Sequence, residues 1–141
     1  IESLKDLTQE LGVEDKVTFE GYIDSEDIVE FLTTGSIGVI PHEPNEHWEN
    51  TIPNKTFDYM CAGLPVVATR TPPLENLLSE IGCGKTFSAS QQPVDVRNCI
   101  LDIIDGESER FARNGQEAIR EEYNWETECK HLVDFLYSID G

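Results

Sequence analysis

Two short runs of almost wholly apolar residues, Ile37-Gly38-Val39-Ile40 and Pro65-Val66-Val67-Ala68-Thr69, constrain this chain more than any other feature. Each is too short for a helix, and neither alternates polar with apolar positions. Such a strand is covered on both faces, as in a parallel sheet sandwiched between helices. The stretches around them have helical spacing instead. Strand–helix alternation of this kind predicts a wound α/β sheet with right-handed crossovers.

The remaining elements follow from spacing and punctuation. Leu4, Leu7 and Leu11 share a helical face, and Gly12 suits the stop. Val17-Thr18-Phe19-Glu20 reads as a short strand running into Gly21. Asp24 or Ser25 can cap a helix with Ile28, Phe31 and Leu32 inward, ending near Gly35. A loop from Pro41 to Pro53 leads into a helix over Asn54–Ala62, stopped by Gly63. Helices are expected over Pro72–Ser79 and Val94–Ile104, with a weak edge strand at Lys85-Thr86-Phe87. Phe111, Gly115 and Ile119 mark the next helix. Trp125, Cys129, Leu132 and Leu136 mark the last, with Asn124 as its N-cap. No strand separates these two helices, so the region of about 108–140 is expected to pack at the sheet's edge or reach a neighbouring domain. The chain opens mid-pattern at Ile1-Glu2-Ser3-Leu4, which suggests a single partial domain over 1–141.

Charge narrows the partners. The 141 residues include 28 acids and 10 bases, a formal net charge of −18. The acids are spread along the chain, and no cluster of Lys and Arg offers a nucleic-acid face. An anionic membrane surface is disfavoured for the same reason, and no apolar stretch approaches a bilayer span. So acidic a composition suits a salt-rich cytoplasm, where self-repulsion is screened. The four cysteines form no C-x-x-C pair. Cys61 and Cys129 sit at helical spacing among apolar residues and read as small core residues, in a reducing cytosol.

In a parallel sheet, ligands bind beyond the carboxyl ends of the strands. Gly21-Tyr22-Ile23, the Pro41–Pro53 loop and Thr69-Arg70-Thr71 occupy those ends. The loop delivers a helix N-terminus there, where free backbone N–H groups and the helix dipole suit a phosphate or pyrophosphate. Lys55 can add positive charge, and Asp58, one turn in, can accept hydrogen bonds from sugar hydroxyls. From spacing alone, a plain amphipathic helix with Phe57, Met60 and Cys61 in the core and Asp58 solvated accounts equally well for the pattern.

The run Tyr59-Met60-Cys61-Ala62-Gly63-Leu64-Pro65-Val66-Val67-Ala68-Thr69 resembles the signature of the retaining group 1 glycosyltransferases, which have the GT-B fold. Val17-Thr18-Phe19-Glu20-Gly21-Tyr22 and Gly38-Val39-Ile40-Pro41 resemble two further segments of that family, in order and spacing. The likeness spans roughly Leu4 to Phe87. It implies a Rossmann-like parallel sheet with helices on both faces, forming part of the C-terminal half of a GT-B enzyme. It implies a nucleotide-diphospho-sugar donor, no cofactor and no metal. Asp58 takes the position that binds the ribose. The loop Asn50–Lys55, including Thr51, Ile52 and Asn54, would hold the diphosphate and the donor sugar. Gly21 and Tyr22 would meet the nucleobase. The family carries two glutamates separated by seven residues; here Asn50 stands at the first position, beside Glu49, and Asp58 at the second. Asn50 and Glu49 are therefore the candidates at the donor sugar. The family's acceptor-binding N-terminal domain, and a strand, helix and strand carrying an Arg and a Lys, have no counterpart here. The fragment by itself is expected to be inactive. The protein is expected in the cytoplasm, reaching the inner membrane surface only through that missing domain.

Other patterns are weaker. His42, Glu43, Glu46 and His47 crowd one loop, but their spacing matches no zinc motif. Trp48 can stack on a sugar or base, or merely anchor the loop. Arg70 can meet a phosphate, although an ion pair is the commoner outcome in so acidic a chain. Gly82-Cys83-Gly84-Lys85 lacks the glycine spacing of a P-loop. A non-catalytic binding module and a sugar-nucleotide epimerase of the same fold are the alternative readings; the Met60–Ala68 run speaks against the epimerase.

Overall fold

A computed structural model describes residues 2–43, 45–46, 48–90 and 92–139. It contains the predicted alternation. β1 (Gly38–Ile40), β2 (Val66–Thr69) and β3 (Gly84–Phe87) form a parallel sheet in the order β1-β2-β3. Gly38 pairs with Val66 and Ile40 with Ala68; Val66 pairs with Gly84 and Thr69 with Phe87. The central strand β2 is buried at every position, which is why it shows no alternation.

Two helices cross between these strands, α3 (Lys55–Cys61) from β1 to β2 and α4 (Pro72–Ile81) from β2 to β3. They cover one face through Met60, Leu74 and Leu78, packed on Ile40, Val66, Ala68 and Cys83. α5 (Pro93–Ile104) covers the other, where Ile103 and Val96 meet Val67 and Phe87. Helices therefore lie on both faces. α4 starts at two prolines, which lose no helical hydrogen bond at the first positions, and stops at Gly82 in the left-handed region, φ 67°.

α6 (Ser108–Glu121) joins the two layers. Phe111 belongs to the α5 side, while Gly115 lies against Met60 and Cys83 on the α3 side. α7 (Trp125–Ile139) follows and buries no residue. Its N-cap is the expected one: the Thr127 N–H donates to Asn124 Oδ1 at 2.9 Å.

Several expectations are corrected. Val17–Glu20 joins no sheet among the described residues, because no strand lies beside it to complete a ladder. Val17 and Phe19 are exposed, as are Leu4 and Leu7 on α1 (Glu2–Glu10) and Leu11 just after it. The helix expected from Asp24 or Ser25 shrinks to α2 (Ile28–Leu32), with Asp27 before it and Phe31 exposed. Cys61 is exposed and Cys129 half-buried; the thiol that fills the core is Cys83.

Candidate functional site

Two features of the β1–α3 unit shape the strand end. Gly38 has no side chain, so the Tyr59 ring lies directly over the start of β1. The Tyr59 hydroxyl reaches the Val39 carbonyl at 3.4 Å, and the Thr69 hydroxyl reaches that of Ile40 at 3.4 Å. The helix is thereby seated on β1, with its N-terminus at the strand's carboxyl end. Burial, and secondarily the Asp58 charge, holds the Tyr59 phenol above its ordinary range.

An open cleft of about 420 Å³ lies at this end, lined by His42, Trp48, Thr51, Ile52, Pro53, Asn54 and Lys55. Four of the predicted donor residues, Thr51, Ile52, Asn54 and Lys55, thus share one concavity. The helix start is tighter than expected. The Thr56 N–H donates to the Pro53 carbonyl and the Phe57 N–H to that of Asn54, each at 2.9 Å. Asn54 makes no side-chain cap. The Thr56 and Phe57 donors are therefore engaged in the turn, while Asn54 and Lys55 line the cleft.

Asp58 is half-buried one turn further along α3 and does not line the cleft. Asn50 is exposed; its amide Nδ2 donates to the Glu46 carbonyl at 2.9 Å, bracing the loop. Glu49 is exposed beside it, and its N–H donates to the Asn45 carbonyl. Gly21 takes a left-handed φ of 79° and Tyr22 is 87% exposed; neither reaches the cleft. Arg70 pairs with Glu75 at 3.2 Å, the ion pair anticipated for it.

Two cleft residues escaped the sequence-based site assignment. His42 and Trp48 stack with ring centroids 4.1 Å apart and planes 4° from parallel. The signal that could have found them is position: both belong to the loop directly following β1, at the ligand end of the sheet. Burial, and then the Lys55 charge, lowers the His42 imidazole below its ordinary value, so the ring is neutral at pH 7. His47, the second histidine of that loop, lies outside the described residues. Among those described, no three His, Cys, Asp or Glu side chains are grouped to hold a metal, and no helix is long and apolar enough to cross a membrane.

Comparison with known proteins places this architecture. The structure superimposes on sucrose-phosphate synthase from Thermosynechococcus elongatus with a TM-score of 0.80 over 98% of this chain, at 22% identity. That likeness shows a shared fold, and this chain spans 34% of the length of that one. No curated protein sequence matches. The family model for group 1 glycosyl transferases matches residues 2–105, most of the chain and all of its sheet. The chain belongs to the group 1 glycosyl transferases.

Proposed function

We propose that this chain is the donor-binding part of a glycosyltransferase, which moves a hexose-type sugar from a nucleotide diphosphate to an acceptor with retention. The observation that carries the reading is the cleft at the carboxyl end of β1, where Thr51, Ile52, Asn54 and Lys55 converge on the start of α3 in a group 1 chain. Lys55 offsets diphosphate charge, and nearby backbone N–H groups donate hydrogen bonds to its oxygens. Both act on the leaving group, whose charge grows as the glycosidic bond breaks. Asp58 takes the ribose hydroxyls. Asn50, whose Oδ1 stays available to accept, and Glu49 attend the sugar, and Gly21 and Tyr22 meet the base.

The acceptor would bind a second domain upstream, with chemistry between the two. In that arrangement α7, which buries none of its residues here, extends toward the neighbour together with α6. The chain alone then transfers no sugar; turnover by purified 1–141 would refute the division of labour. Four free thiols fit a reducing cytoplasm, with any contact to the inner membrane surface made through the upstream domain.

Asp58→Ala tests the reading. A carboxylate that accepts hydrogen bonds from hydroxyls contributes about 1.5–3 kcal/mol. The substitution should weaken nucleotide-diphospho-sugar binding roughly 10- to 100-fold by calorimetric titration, with an unchanged melt. Equal affinities would remove Asp58 from the site.

A further inference from the structure

We propose that His42 is a second cation of this cleft, one that gains its proton only when the diphosphate of a nucleotide sugar is bound. The inference rests on the donor-site reading above and adds to it a group and a linkage.

The argument begins with charge balance. The cleft lining contains one fixed cation, Lys55, in a chain of net charge −18. Glu43, Glu46 and Glu49 occupy the same loop as His42 and Trp48 and are exposed. A diphosphate brought here meets a local surplus of negative charge unless another positive group forms. His42 lines the same cleft and, among the described residues, is the remaining lining side chain able to supply one near neutral pH. Its ring is held in place by the stack on Trp48, 4.1 Å between centroids, so it need not be ordered on binding.

Burial of the ring, and then a charged neighbour, explain why the proton is absent beforehand: from α3, Lys55 disfavours a second positive charge. Asp58 lies a turn further along that helix, half-buried. β1 ends at Ile40 and Pro41 follows it, both uncharged, and Arg70, after β2, is engaged with Glu75. An anion placed between Lys55 and His42 screens the first from the second and attracts the proton directly. The proton comes from solvent. The phosphates of a nucleotide sugar are both esterified and do not titrate where histidine does, so the linkage belongs to the protein. By reciprocity, an imidazole that binds its proton more tightly in the complex makes the ligand bind more tightly in acid.

The experiment is an NMR titration of the imidazole resonances of the 141-residue chain, alone and with saturating UDP-glucose or GDP-mannose. His42→Phe assigns the resonance and retains an aromatic ring for Trp48. Backbone shifts at Asn54 and Lys55 report binding independently, and His131 on α7 serves as internal control. The expected result is a rise of about one unit or more in the His42 titration midpoint, with His131 unmoved. Affinity should then be about tenfold higher at the acid end of the titration than at the alkaline end. His42→Phe and His42→Gln should flatten that dependence. Binding seen at Asn54 and Lys55 with an unmoved His42 midpoint overturns the inference and leaves the donor site standing. Unchanged Asn54 and Lys55 resonances at every pH overturn the donor-site reading, and this inference with it.

Discussion

Gly38→Ala should be among the most damaging single-methyl changes in this chain. The added Cβ would enter the Tyr59 ring, 2.7 Å from Cε2 and nearer still to Cδ2 and Cγ. Ordinary carbon–carbon contact is about 3.5–4.0 Å, so the ring must retreat by about 1 Å or more. It cannot do so alone, because Tyr59 stands on α3, and Met60 beside it is wholly buried against the sheet. Overpacking of this kind costs about 1–3 kcal/mol. At about 3 °C per kcal/mol for a domain of this size, the midpoint of thermal unfolding should fall by about 6 °C. Removing the obstacle separates steric conflict from a general dislike of alanine in β1. In Gly38→Ala/Tyr59→Ala the second change should recover part of the first, with a coupling of about 1 kcal/mol in a double-mutant cycle measured by urea unfolding. An unchanged midpoint in Gly38→Ala, or additive losses in the pair, would refute this account of how α3 sits on β1.

Thiol labelling of the native protein should find Cys61 at once and Cys83 only on unfolding, since Cys83 is fully buried and its thiol is pushed up to about 11; equal rates would contradict the packing of α6. Lys85 bonds Glu107 at 2.7 Å, and this contact holds the Glu107 carboxyl below its ordinary value. A depressed carboxylate contributes stability above its unfolded value and loses it as pH falls through the folded one. Lys85→Met should therefore flatten the decline of stability below about pH 4.5, read from melts across the acid range; a parallel decline would show the pair to be inert. With 28 acids facing 10 bases, the melt should rise steeply with KCl, as the screening length shrinks to about 3 Å at 1 M; a flat response would remove the salt-adapted reading.

The legible parts of the fold were those decided by local pattern. Val66–Thr69 is apolar throughout because it lies between two helical layers, so its lack of alternation already implied cover on both sides. Gly63 and Gly82 stop α3 and α4 with φ of 76° and 67°, a cost only glycine avoids. The prolines opening α4 and α5, and Asn124 capping α7, act within one turn of their own backbone. The grouping of Thr51, Ile52, Asn54 and Lys55 was readable too, because a loop that leads from a strand end into a helix must lie at the ligand end of the sheet.

What local pattern could not supply is the identity of the partner across space. Val17-Thr18-Phe19-Glu20 has strand propensity, but a ladder needs a neighbour, and none of the described strands lies beside it. Cys61 and Cys83 are equally apolar as residues; which one is buried depends on α6 crossing α3 at Gly115, where a Cβ would lie 3.3 Å from Met60. The His42–Trp48 stack and the Gly38–Tyr59 fit are likewise contacts between residues whose sequence positions carry no mutual signal. The sequence alone determined the order of elements from β1 onward and the sheet end to which the Pro41–Pro53 loop leads, because propensity, capping and burial on both faces act residue by residue. Only the tertiary structure decided which side chains share the cleft and which thiol is core, because close packing is settled between segments brought together by folding.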